Sequence, residues 1–411
     1  MLDAQDLELD FPLATAGDIA RINLQSARQQ SWNRFWQAPL RAGIAECLVE
    51  QEHLSAQFLG DLGAFDRLET LANELVRVDA ESIRVHLIRA QVASMAHRFD
   101  EAKGYLAQAA ASGAPPDSLN RLSLSIDQAR GFELDTVLEA RRRLAAESGR
   151  LEDLVPLGAL HADLREFEAA KQIYTQAIQQ YQDVSPFALA WACFQMGVLC
   201  GELLPDPQPN RAAQWYEKAI DFLPCYVKAR VHLAEIYAHN GHTAEAEALL
   251  MPALAAGDPE VNWRLADVLH GSGRFADAQA QMMAARAGFK NLLDRHLLAF
   301  ADHGAEFYSG SGDDAGKALD LARINAANRP TLRALEQAFA IAIKAGEPQV
   351  ASEILDTARE RSGRTAAFRH SPLGAHGSDR ATSYEGGAGS DQTSGVPRRS
   401  MKNAVNPGVP I

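Results

Sequence analysis

A chain of 411 residues, 47% apolar and 23% charged, is longer than one compact core usually needs, which leaves several domains or one elongated repeat array. Its formal net charge of -13 disfavours a general affinity for nucleic acid or anionic membrane, since both need Lys and Arg to neutralise phosphates, and leaves room only for a local basic patch. No uninterrupted apolar run of about 18 residues exists. The opening residues Met1-Leu2-Asp3-Ala4-Gln5-Asp6 are acidic where a secretory leader is basic, and Cys47, Cys193, Cys200 and Cys225 form no CxxC pair. The expectation is a cytoplasmic protein with reduced thiols.

In chain order, the first helical stretch covers residues 17 to 50 and carries Ile19, Ile22, Leu24, Trp32, Phe35 and Trp36. Pro39 and a lack of small residues keep it out of the pattern that follows. Residues 1–48 are therefore expected to form a helical cap, because the first unit of an array would otherwise expose an apolar face.

From residue 49 the sequence repeats. Gly63-Ala64-Phe65-Asp66-Arg67-Leu68, His97-Arg98-Phe99-Asp100-Glu101-Ala102 and Arg165-Glu166-Phe167-Glu168-Ala169-Ala170 align at a period of 34, with a degenerate unit at Gly131-Phe132-Glu133 between the last two. The residue opening the second helix of each unit falls at Leu68, Ala102, Thr136, Ala170, Ala212, Ala246, Ala278, Ala318 and Ala351, which makes about nine units over 49–362. Two intervals, 42 and 40 residues, are long, and loop insertions are expected at Leu203–Pro209 and at Ser309–Asp314. Within a unit Ala170, Tyr174 and Ala177 share one helix face, as do Ala246, Leu250 and Ala253. A small residue recurs on the preceding helix at Ala56, Ala90, Gly158, Gly197, Ala234 and Ala266, where two helices approach closely. From Gly363 to Ile411 the sequence is rich in Gly, Ser, Pro, Asn and Asp without a helical period, and this tail is expected to be disordered.

This pattern resembles the tetratricopeptide repeat. Cys193, Met196-Gly197, Cys200, Ala212, Tyr216, Ala219 and Pro224 follow its order with an insertion, and Arg230, Leu233-Ala234, Tyr237, Gly241, Ala246, Leu250 and Ala253 follow it without one. The resemblance implies an all-α, right-handed α-solenoid of helix-turn-helix repeats whose first helices line a concave groove. Carried onto units five to seven, the groove slots hold Trp191, Phe194, Val198 and Glu202, then Lys228, Val231, Glu235 and His239, then Glu260, Trp263, Asp267 and His270. Trp191 and Trp263 read best as partner anchors, whereas Phe194 and Val198 fit either a groove or packing between units. At the slots where some relatives grip an acidic chaperone tail, this chain has Phe194, Val198, His232, Glu260 and Arg264, so that clamp is missing.

Motifs for catalysis are absent: no GxGxxG after a strand, no GxxxxGK[ST], no HExxH and no GxSxG. Cys193, Cys200 and Cys225 with His232 or His239 could be imagined around zinc, but they occupy packing slots, and neither a metal nor a cofactor is expected. His161 falls at a packing slot, and Arg141-Arg142-Arg143 with Arg121 and Arg130 reads as a solvated helix face. The function these features predict is a non-enzymatic scaffold that binds a protein or peptide in its groove. Two alternatives are a regulatory or substrate-recruiting region of an enzyme system, such as a glycosyltransferase or sulfotransferase, and a peptide-signal sensor with a closed superhelix and a pocket.

Overall fold

The structure is a computed structural model, and it describes residues 9–376. Among the described residues there is no strand. The chain opens with α1 (Gly17–Gln37) and then forms helix pairs: α2 (Ile44–Leu59) with α3 (Ala64–Asp79), α4 (Ile83–Met95) with α5 (Phe99–Ala111), α6 (Pro116–Ala129) with α7 (Leu134–Ser148), and α8 (Leu151–Asp163) with α9 (Phe167–Gln179). Next come α10 (Pro186–Val198), extended by a π turn, with α11 (Pro209–Phe222), and α12 (Val227–His239) with α13 (Thr243–Leu250), extended by a 3-10 turn. The series ends with α14 (Pro259–Gly271), α15 (Phe275–Ser309), α16 (Ala315–Asn328), α17 (Leu332–Lys344), α18 (Pro348–Ser362) and the short α19 (Ala366–Arg369).

All nine small or apolar residues that the 34-residue frame singles out lie on second helices, from Leu68 on α3 to Ala351 on α18. The first and second helices interlock through a size rule. A Cβ added at Gly158 would lie 2.5 Å from Tyr174, and one at Gly197 would lie 2.3 Å from Tyr216, so glycine stands where a tyrosine ring crosses. Where the second helix offers Leu106 or Leu250 instead, the first carries Ala90 or Ala234.

The insertion expected at Leu203–Pro209 is present as the π turn Leu199–Leu203 and the loop after it. The other is not a loop insertion. Its extra residues lie mainly inside α15, 35 residues in which the second helix of one pair meets the first helix of the next at a kink at His296, without an intervening loop. The π turn also shares in an apolar stretch, Pro186–Leu203, long enough on hydropathy to cross a membrane, and 78% of it is buried inside the fold, as a core helix is.

The ends also depart from expectation. The first repeat begins at Ile44, inside the stretch assigned to the cap, and α1 docks onto it through Glu52, which is fully buried. Glu52 accepts from Trp32 Nε1 at 2.7 Å and from Arg67 at 2.7 and 2.9 Å, while Asp61 pairs with Arg28 at 2.6 Å and Arg67 at 2.8 Å. Beyond Gly363, α19 and the residues after it cover the last repeat with buried Phe368 and Leu373. The rest of the predicted disordered tail, 377–411, lies outside the described residues.

The superhelix is wound so tightly that it closes on itself. On one edge Thr15 N donates to Val184 O at 2.8 Å, and Phe58 packs at an angle against Phe187 and edge-on against Tyr226, with ring centroids 5.3 and 4.8 Å apart. On the other edge the turns inside the early repeats clasp the late ones. Asp66 meets Arg295 and His296, His97 contacts Leu298 O at 3.2 Å, and Arg165 pairs with Glu336.

These clasping turns carry a backbone signature. A left-handed residue recurs in most turns between paired helices, supplied by Gly131, Gly241, Gly273 and Gly346 but by His97 (φ 56), Arg165 (φ 61) and Asp313 (φ 47) in three repeats. His97 and Arg165 use their side chains to hold another part of the superhelix, which offsets the backbone strain there.

Candidate functional site

Closure fills the predicted groove from within. Trp191 is 3% exposed, and Phe194 and Val198 are buried beside it on α10. Phe194 joins Tyr226 and Tyr216 at 5.2 and 5.5 Å, and Tyr226 in turn meets Phe58 from the first repeat. Trp263 is also 3% exposed, lying under the Arg264 guanidinium at 3.5 Å and against Phe307 at 5.4 Å. The reading of Trp191 and Trp263 as solvent-facing anchors is therefore corrected. The concave slots face another turn of the same chain, and apolar burial there outcompetes display.

The charged slots scatter. Glu235 pairs with Arg264 at 2.8 Å and lies 3.7 Å from His232. Val231 is core, Asp267 accepts from Ser311 at 2.7 Å near the surface, and His239 and His270 are exposed. Arg264 is enclosed by Glu235, Glu260 at 3.6 Å and Glu306 at 3.0 Å. Burial opposes its charge, but these three carboxylates hold it protonated. The same low-dielectric setting pushes the Glu306 carboxyl up to about 7.

Lys228 and Glu260 of the predicted set line a feature with room for a ligand. Between the first three repeats and the sixth to eighth lies a chamber of about 140 Å³. Its polar lining comes from His53 and Gln57 on α2, His97 in the turn after α4, Lys228 on α12, Asp258 and Glu260 at the start of α14, Asp302 and His303 on α15, and Arg329 after α16. Phe65, Phe99, Phe289, Leu292 and Phe300 supply an apolar wall.

Most of these charges satisfy one another. His303 Nδ1 lies 3.4 Å from Glu260, and Arg329 lies 3.4 Å from Asp302 and 3.5 Å from His97 Nδ1. Burial pulls the His303 pKa down, but Asp302 and Glu260 push it up to about 9, while Glu260 is held well below the usual carboxylate range. His97 is pulled to about 3 by burial and Arg329, and His53 to about 4 by burial and Lys228, so both are neutral. Asp258 caps α14 by accepting from Glu260 N at 2.9 Å, and burial with Glu260 nearby raises it to about 6.

Sequence reasoning did not find His53, Gln57, Asp258, Asp302, His303 or Arg329, because they meet only when the superhelix closes. One signal was present: His97 in a slot that Gly131, Gly241, Gly273 and Gly346 fill in other repeats. The remaining candidates are structural. His161 is buried and lies 2.5 Å from Glu166. Arg141, read as part of a solvated face, is instead buried, donating to Gln128 and Ser125 at 3.1 and 3.0 Å. Cys193 and Cys200 are buried and Cys225 partly so, and burial pushes the Cys200 and Cys225 thiols up to about 11.

No protein-family model and no curated protein matches the chain. Among solved structures it is similar to the APC/C hetero-tetramer Cut9-Hcn1, at 12% identity and TM-score 0.41, covering 86% of this chain and 66% of that one. It is also similar to yeast Tom70, at 11% identity and TM-score 0.31, covering 89% and 96%. A third is the C-terminal part of a TPR repeat-containing protein from Cytophaga hutchinsonii, at 14% identity and TM-score 0.29, covering 71% and 97%. The chain spans about two thirds of the length of the Cut9-Hcn1 chain it matches. Its own geometry, nine helix pairs stacked in one frame among the described residues, defines it as a tetratricopeptide-like α-solenoid.

Proposed function

We propose that this chain is a non-catalytic scaffold that binds a partner protein on its outer surface, the groove being occupied by its own side chains. The observation that carries the reading is the first half of α15. Phe275 and Met283 are 63% and 62% exposed, and Ala276, Ala280, Ala284 and Ala287 are exposed beside them on the same helical stripe. His270 meets the Phe275 ring edge-on at 5.2 Å and leaves most of it exposed. Phe and Met are favoured at interface centres, and alanines let a second helix approach closely. The flanking Asp277, Arg286 and Lys290 would form the polar rim.

The test is a photoreactive side chain at position 283, with one at Glu353 on α18 as control. The reading expects one dominant crosslinked protein from position 283 alone, lost in Ala280→Arg at unchanged melting temperature. Equal crosslinking from both positions, or capture indifferent to Ala280→Arg, would overturn it. A second reading, a small-ligand or peptide-signal sensor, is favoured by the chamber, since a closed superhelix with an internal pocket is what such a protein requires.

A further inference from the structure

The chamber contains polar groups that the fold leaves unsatisfied. Gln57 is 8% exposed, and neither its amide oxygen nor its amide nitrogen has a hydrogen-bond partner. Nε2 of His53, one turn earlier on α2, is buried and has no partner at hydrogen-bond distance, although the Gln57 amide lies near enough to work against the burial that depresses the His53 pKa. Lys228, close enough to depress the His53 pKa, makes no hydrogen bond or ion pair among the described residues. An unsatisfied buried polar atom costs about 1–3 kcal/mol, so native proteins rarely keep several on one wall.

The charge balance singles out the same wall. Glu260 and Asp302 are engaged by His303 and Arg329, and Asp258 is occupied as a helix cap and carries a raised pKa. The Lys228 ammonium, which feels the Asp258 carboxyl only at a distance, is thus a chamber cation without a hydrogen-bonded or ion-paired counter-charge among the described residues. Phe65, Phe289, Leu292 and Phe300 add only hydrocarbon to the lining. The volume, about 140 Å³, is close to the roughly 150 Å³ apolar cavity that holds a benzene ring in the best-known engineered case.

We infer that the chamber is a binding site for a small carboxylate with an apolar body about one ring in size, the carboxylate meeting Lys228, Gln57 and His53 and the body packing on the phenylalanines. The ligand is an aromatic or branched acid, an amino acid, or the last residue of a peptide, which share this chemistry. The inference gives chemical content to the sensor reading and rests on none of the evidence for the α15 face, so either can fail alone.

Phenylacetate is the probe, with benzyl alcohol as its neutral and benzylamine as its cationic counterpart, each titrated into the full chain by calorimetry and ligand-observed NMR. The expected result is phenylacetate binding at least tenfold tighter than either counterpart. Phenylalanine and an acetylated phenylalanine with a free carboxylate, run alongside, separate a free amino acid from a peptide end. Lys228→Met is expected to reduce phenylacetate affinity at least tenfold while raising the melting temperature of the unliganded protein, because it removes a charge kept for the ligand. Gln57→Leu should act in the same sense. No detectable binding at millimolar phenylacetate, equal binding of benzyl alcohol, or a Lys228→Met protein that binds normally would each overturn the inference. So would a Lys228→Met protein that melts earlier than the parent, since the lysine would then be a structural residue.

Discussion

The size rule between paired helices can be tested at Gly158 and Tyr174. Gly158→Ala places a methyl 2.5 Å from Tyr174 Cε1 and 2.7 Å from Cδ1, about 1 Å inside ordinary carbon contact. Tyr174 is 1% exposed, so the ring has no solvent to swing into. Overpacking of this kind costs roughly 1–3 kcal/mol, while alanine in a helix interior recovers up to about 1 kcal/mol over glycine. The expected net loss is about 1–2 kcal/mol. Tyr174→Leu alone should cost roughly 2–4 kcal/mol through the void it leaves. The double variant recreates the Ala234 and Leu250 pairing of the sixth repeat, so adding Gly158→Ala to Tyr174→Leu should stabilise by about 1 kcal/mol. The coupling energy is then about 2–3 kcal/mol. Urea unfolding followed by far-ultraviolet circular dichroism measures it, provided the slope of the transition is unchanged between variants. Additive effects within about 0.5 kcal/mol would refute the size rule and leave the glycines unexplained.

Stability should fall as pH rises from 7 to 9. His303 has a folded pKa of about 9 against an ordinary 6.5, so its contribution is complete below about 6.5 and lost as pH passes 9. His303→Gln should flatten thermal melts across that window, and an unchanged slope would show that another group sets it. Trp263→Ala should lower stability by roughly 3–5 kcal/mol, because the indole is sealed between Arg264 and Phe307; a variant that melts normally would restore it as a surface anchor. Phe58→Ala should cost a similar amount and, uniquely, speed hydrogen exchange in α10 and α12, where the first repeat closes over the groove. Exchange confined to α2 would mean that closure does not depend on this ring.

Much of the fold is legible in the sequence, for a physical reason. Each helix pair buries its apolar face against neighbours in sequence, so the 34-residue frame, the Gly158 and Gly197 slots and the proline-rich break after Leu203 all follow from local spacing. Even the misplaced insertion was visible as a 40-residue interval, although spacing alone could not distinguish a loop from a longer α15.

What the sequence could not decide is the pitch of the superhelix. A small rotation per repeat, summed over nine repeats, separates an open groove from a closed chamber, and that rotation is set by contacts between residues far apart in the chain. Phe58 with Tyr226, His97 with Leu298 and Arg165 with Glu336 are such contacts, more than 160 residues apart in each case. They turned Trp191 and Trp263 from anchors into core, left Lys228 facing a chamber, and gathered His53, Gln57, His303 and Arg329 from opposite ends of the array around it. Periodicity reports which face of a helix is buried, and only the tertiary structure decided what it is buried against.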